Sequence, residues 1–164
     1  MKKILMIALL LVPMSMMAQK FGHFNSAEIV SAMPEYTAAQ NEIQTLSKQY
    51  EDDLKRMQDE LQKKSEEFEK EQANLLDNVR QRRQQELQDL YNRLQQTYSD
   101  NQQALQKAQA EKMQAISEKI TNAVKKIGED GGYVYIMDVT GGIPYISTTL
   151  STDVTADVKK KLGI

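Results

Sequence analysis

The chain has 164 residues, with 21 Lys or Arg against 23 Asp or Glu and a formal net charge of −2. That balance argues against nucleic acid as the main partner, because nucleic-acid binding needs a basic face. No cysteine is present, so disulfides are excluded, and with no tryptophan and three phenylalanines a large globular core is not expected.

Residues 1–18 read as an export signal. Lys2 and Lys3 form a positive start, Ile4 to Val12 is an apolar stretch too short to span a bilayer with ease, and Ala18 offers a small residue for cleavage before Gln19. The expectation is a bacterial envelope protein delivered to the periplasm, and without cysteine it has no lipoprotein anchor. Loss of Lys2 and Lys3 leaves 19 basic against 23 acidic side chains, so the mature chain is the more acidic.

Phe21 to Phe24 then reads as a short strand. Ser26 is placed to cap a turn of helix running through Ala27 to Met33, and Pro34 both ends that turn and suits the first position of the next helix. From there to Gly128 there is neither glycine nor proline, and the run is rich in the strong helix formers Gln, Glu, Lys, Leu and Ala. Apolar residues recur three and four apart from Tyr36 through Leu46, Tyr50 and Leu61 to Phe68, and again from Leu87 through Leu94, Tyr98 and Leu105 to Ile127. As one helix this run would reach roughly 140 Å. A strand at Phe21–Phe24 cannot stand alone in water, and its natural partners lie beyond the run. The run must therefore double back, and near-equal halves put the tip at Val79–Gln85, although no breaker residue marks it.

Beyond Gly128 the pattern changes. Gly131 and Gly132 break the helix, Tyr133 to Asp138 alternates as a strand, and Thr140-Gly-Gly-Ile143 supplies a turn into a third strand at Ile143–Ser147, with Pro144 at a sheet edge. A last helix, capped by Thr152 or Asp153, carries Val154, Val158 and Leu162 on one face and Lys159 to Lys161 at its end. The fold class is α+β and mostly helical, a long antiparallel helical hairpin on a small β body. Its divisions are 1–18 signal, 19–35 with 128–164 as body, and 36–127 as hairpin. So small a body needs its sheet edges and apolar faces covered. A homo-oligomer is expected, assembled through Phe21, Phe24, Tyr133, Tyr135, Ile136, Ile143 and Tyr145.

Both ends of the chain carry a family likeness. Lys20-Phe-Gly-His-Phe-Asn25 with Glu28-Ile-Val and Met33-Pro-Glu-Tyr36 resembles the opening of the OmpH (Skp-like) family of periplasmic chaperones. Val134-Tyr-Ile-Met-Asp-Val139, Ile143-Pro-Tyr-Ile-Ser147 and Asp153-Val-Thr-Ala-Asp-Val158 resemble its close. The resemblance spans essentially all of the chain after the signal. It implies a trimer with a β body and three helical arms enclosing a cavity that holds unfolded outer-membrane proteins without ATP. The acidic charge departs from the strongly basic family pattern.

Arg80, Arg82 and Arg83 fall at the expected tip and would form a positive rim for acidic client segments or an anionic membrane surface; alternatively they are a solvated face with Glu86 and Asp89 beside them. Leu75, Leu76, Met57 and Met113 are candidate client contacts, with Val79, Leu87 and Leu90 beside them. Leu76, Val79, Leu87 and Leu90 also suit the inside of the hairpin seam. No active site, metal site or cofactor is read: His23 is the single histidine, Asp52-Asp53 and Glu66-Glu67 diverge on a helix, and Thr140-Gly-Gly is too short for a phosphate loop. The functional expectation is an ATP-independent holdase; the alternative is a coiled-coil spacer of the envelope with no client. A membrane pore is ruled out by the scarcity of strands.

Overall fold

The computed structural model describes residues 19–164, so the expected export signal lies outside the described residues. The chain divides into two compact units, residues 30–118 and a second formed by residues up to 29 with 119–164. In order the elements are β1 (Lys20–Phe24), α1 (Ser26–Ala32), α2 (Pro34–Glu71), α3 (Asp77–Gly131), β2 (Tyr133–Asp138), β3 (Ser151–Asp153) and α4 (Thr155–Leu162). Among the described residues no helix is long and apolar enough to cross a membrane.

The first unit is a helical hairpin. Met33 is extended (φ −77°, ψ 124°) and Pro34 opens α2, where a missing N–H leaves no bond unmade. The reversal lies at Gln72–Leu76, earlier than the expected Val79–Gln85: a short 3-10 turn over Gln72–Asn74, then Leu75 extended at φ −84°, ψ 143°. Among the described residues no side chain other than glycine has a positive φ, so this reversal uses only ordinary backbone conformations. Ion pairs fix the register. Glu71 meets Arg83 at 3.1 Å and Glu42 meets Lys112, the two partners on each helix standing 29 positions apart. Phe68, Leu90 and Leu94 are buried near the turn, and Ala39 and Ile116 at the other end of the unit. Between them Tyr50, Leu54, Met57, Thr97, Asn101 and Ala104 are only half-buried, and the Asn101 amide nitrogen is enclosed without a hydrogen-bond partner. Half-buried side chains remove less apolar surface from water than the enclosed ones at either end, so the middle of the seam is its weakest stretch.

The second unit is built on a three-stranded sheet of order β2-β1-β3, with both pairings parallel and β1 central. The connection from β1 to β2 is the whole helical hairpin, the return that a lone strand requires. Gly22 and Phe24 are buried on one face of β1, while Phe21 and His23 look out from the other. Tyr133 lies so close over Gly131 that a Cβ there would stand 2.5 Å from its ring, and Gly132, at φ +66°, completes the break between α3 and β2. Lys20 Nζ donates to the Gly131 carbonyl at 3.0 Å, supplying a cation at the end of α3.

Three local expectations are corrected here. Ile143–Ser147 is not a strand: Pro144 lacks an N–H, and the Ser147 hydroxyl accepts the amides of Thr149 and Leu150 in a turn. The third strand is Ser151–Asp153, whose polar sequence carries no strand signal. The cap of α1 is Asn25, whose side chain accepts the Glu28 amide at 3.0 Å; Ser26 instead gives its N–H to Asp138 and shares a hydrogen bond with Thr140. In α4, Thr152 and Asp153 belong to β3 and Val154 stands at the cap, although the Asp153 carboxylate still takes the Thr155 amide at 2.9 Å.

Thr155 links three elements. Its hydroxyl donates to Asp153 at 2.6 Å and accepts the Asn25 amide at 3.0 Å, and beside it Val154 gives its N–H to the His23 carbonyl. Ile29, Val154 and Val158 have no exposed surface, and Lys159 pairs with Glu28 at 2.7 Å across α4 and α1. Hydrogen bonds from Thr155 hold the Asp153 carboxyl below its ordinary value against the opposing effect of burial, with nearby His23 acting in the same direction. Burial works to raise Asp138, but hydrogen bonds from Ser26 and Thr140 outweigh it and keep this carboxyl low as well. A folded pKa below the unfolded value of about 3.9 adds stability that is present above that pH and lost as pH falls through the folded pKa. Urea midpoints are therefore expected to fall below about pH 5. Thr155→Val, which keeps the shape and removes the hydroxyl, should cost about 2 kcal/mol at neutral pH and make the acid-side fall shallower. An unchanged acid limb would show that Asp153 carries none of the dependence.

Candidate functional site

The earlier reversal changes the role of the three arginines. They sit on the first turns of α3 rather than at the tip, and two of them are engaged in closing the hairpin. Arg80 reaches back so that Nε donates to the Gln72 carbonyl and Nη2 to the Leu75 carbonyl, each at 3.1 Å, while Nη1 pairs with Asp77. Two carbonyls of the reversal, that of Gln72 (which also accepts the Leu75 amide) and that of Leu75, are thus held by a side chain from the next helix. Arg83 pairs with Glu71, and Arg82 is the outward-facing one, 4.0 Å from Glu86. With acids at each arginine, the expected positive rim is not formed. Arg80→Ala should speed amide exchange through residues 75–80 by about tenfold, roughly 1.4 kcal/mol of local stability, with Arg82→Ala as a silent control.

The apolar candidates separate by burial. Leu76 is 73 % exposed at the turn, while Leu75, Val79 and Leu87 are half-buried and Leu90 is closed into the seam. Met57 is half-buried on the seam of α2, and Met113 is exposed on α3. Met113 borders an open groove of about 860 Å³ on one flank of the hairpin, with Tyr36, Ile43 and Ser47 of α2 and Gln109 and Lys112 of α3. Tyr98, expected inside the apolar stripe, is exposed, as is Tyr91.

In the second unit the outward sheet face carries Phe21 and Tyr135 as a tilted aromatic pair with ring centres 4.8 Å apart. A cleft of about 280 Å³ runs over this face between Phe21, His23, Tyr135, Met137, Tyr145 and Leu150. Of the other residues expected in the oligomerisation surface, Phe24 is buried in the monomer, Tyr133 and Ile136 pack against Gly22, and Ile143 borders the cleft. His23 Nδ1 is hydrogen-bonded to the Ser151 hydroxyl at 2.8 Å, a contact hidden from sequence because β3 was unread. Asp153, on the same face, is already engaged by Thr155, so no relay runs from carboxylate to histidine to serine.

A helical hairpin with exposed apolar side chains is thus joined in sequence to a small parallel sheet with one apolar face uncovered. The chain belongs to the OmpH family: the family model described as outer membrane protein (OmpH-like) matches residues 20–162. The fold is similar to the crystal structure of a candidate outer membrane chaperone (OmpH-like) from Caulobacter crescentus CB15. The TM-score is 0.74 at 12% sequence identity, over 88% of this chain and 83% of that one. No curated protein sequence matches the chain.

Proposed function

We propose that the chain is an ATP-independent holdase chaperone of the bacterial periplasm, keeping unfolded outer-membrane proteins soluble between helical hairpins of a homo-oligomer. A trimer is the assembly that the family likeness implies. The observation that carries the reading is the exposed apolar surface of the hairpin, where Met113, Tyr91 and Tyr98 lie open to solvent, separated by polar side chains, and Tyr36 is half-buried beside Met113 at the groove. Dilute apolar contacts are individually weak and replaceable, and several hairpins acting together make up in number what each lacks in strength. Membership of the OmpH family, and the description of the Caulobacter protein as a candidate outer membrane chaperone, support the same role.

The test is mass by light scattering on the mature protein, alone and with a urea-denatured outer-membrane β-barrel diluted into it without nucleotide. A defined complex that keeps the barrel soluble is the expected result. A stable oligomer that lets several such barrels aggregate would favour a coiled-coil spacer, and a folded monomer would remove the shared cavity.

A further inference from the structure

The two helices of the hairpin present unlike surfaces at the same level. Within α2, residues 51–60 include Glu51, Asp52, Asp53, Lys55 and Arg56, with Asp59 and Glu60 following. The register set by Glu71–Arg83 and Glu42–Lys112 brings this stretch alongside residues 94–103 of α3, where Asp100 is the single charged side chain.

That stretch of α3 is also ordered. Gln88, Gln95, Gln102 and Gln109 recur every seven residues, and all four are exposed. Tyr91, Tyr98 and Leu105 recur at the same interval, three residues further on. Seven residues are close to two helical turns, so each series keeps to one face, and the offset of three makes the two series neighbours. The Gln102 amide donates to the Tyr98 hydroxyl at 2.8 Å, as that adjacency requires. Tyr91 is 49 % and Tyr98 53 % exposed, so neither serves the seam. The result is an uncharged ladder of amides and aromatic rings along one side of α3.

We infer that this ladder is the client-contact face of the hairpin, and that it takes an extended, uncharged stretch of unfolded polypeptide. This deepens the holdase reading and rests on it. An unfolded segment laid on a protein must satisfy its backbone N–H and C=O groups or lose them as unpaired polar atoms. Each glutamine offers both a carbonyl acceptor and an NH₂ donor, so one residue type serves both backbone groups, whereas lysine only donates and carboxylates only accept. Burying an amide under an apolar chain also costs far less than burying a charge, so a neutral client lies against α3 in preference to α2. The tyrosines add apolar area with little rotamer entropy to lose. A helix from a second copy would need a continuous apolar stripe, which the intervening amides interrupt, and an anionic lipid surface would need cations, whereas Arg93 and Lys107 fall outside the two seven-residue series.

The experiment places a photo-reactive benzophenone amino acid at Tyr91, at Tyr98 and, as a control on α2, at Glu60, each in the full oligomer with a urea-denatured outer-membrane β-barrel. Expected are crosslinks to the barrel from Tyr91 and Tyr98 but not Glu60, falling in uncharged barrel segments. Alongside, the double variant Tyr91→Glu/Tyr98→Glu should bind the barrel about tenfold more weakly with its helix content unchanged. Equal crosslinking from Glu60, or full affinity in the double variant, overturns the inference while leaving the holdase intact, because the barrel is still held. Crosslinks joining copies of this chain in place of the client also overturn it. A wild-type chain that holds no barrel removes the holdase reading and this inference together.

Discussion

Ile29→Ala is expected to lower the unfolding free energy by about 3 kcal/mol, read as a shift in the urea midpoint at fixed protein concentration. Ile29 has no exposed surface, and neither do Val154 and Val158, so the second unit depends on a few branched side chains enclosed by short elements. Removing three carbons leaves a cavity, and the surroundings are poorly placed to collapse into it. Asn25 holds the start of α1 through the Glu28 amide, and Lys159 ties Glu28 to α4. The chain contains no cysteine, so no disulfide offsets the loss. Leu54→Ala in the hairpin should cost only about 1 kcal/mol, because Leu54 is half-exposed on a stretch of seam that is already loose. Equal costs at the two sites would mean that the small core is less decisive than its burial implies.

Features that rest on period and composition were legible in the sequence. The long run without glycine or proline gave two helices, Pro34 gave the start of α2, and the unpartnered strand at Phe21–Phe24 required the chain to double back. What escaped notice rests on side chains reaching across the fold. The reversal at Gln72–Leu76 needs no special residue, because its carbonyls are satisfied by Arg80, which sequence spacing places on the following helix as an ordinary surface charge. β3 is Ser-Thr-Asp, three residues whose strand character comes wholly from pairing with Phe21 to His23. Ile143–Ser147 has the composition of a strand but is irregular and leads into a turn at 148–150, since Pro144 lacks an N–H and the Ser147 hydroxyl accepts the amides of Thr149 and Leu150. The candidate site divides in the same way. The arginine cluster is visible in the sequence, whereas its ion pairs with Asp77 and Glu71 follow from where the chain reverses. The Tyr and Gln ladder on α3 is present in the sequence as two seven-residue series, yet Tyr98 also fits the apolar period of α3, and only the structure shows it exposed.

Tyr135→Asp is expected to convert the proposed oligomer to a single chain at about micromolar concentration, seen directly as mass by light scattering. Tyr135 is 50 % exposed and stacks on Phe21 in the centre of the outward sheet face, with Met137, Leu150 and Tyr145 exposed around it. An apolar face of this size left uncovered is the surface through which the proposed oligomer would assemble. A carboxylate there must either lose its water against apolar side chains or prevent the face from being covered, a penalty of about 3 kcal/mol per contact and roughly a hundredfold in association. Within one chain the change costs little, about 1 kcal/mol for the lost Phe21 pairing, so helix content by circular dichroism should hold while the mass falls. Val134→Asp is the matched control. Val134 is equally open to solvent and is the unpaired residue at the register shift of β2, between the partners of Lys20 and Phe21, where a charge stays in water. Loss of assembly by Tyr135→Asp alone would assign the interface to the Phe21 face. Loss by both variants would point instead to the exposed edge of β2, which every substitution in that strand disturbs. Loss by neither would leave the hairpins as the surface through which copies meet.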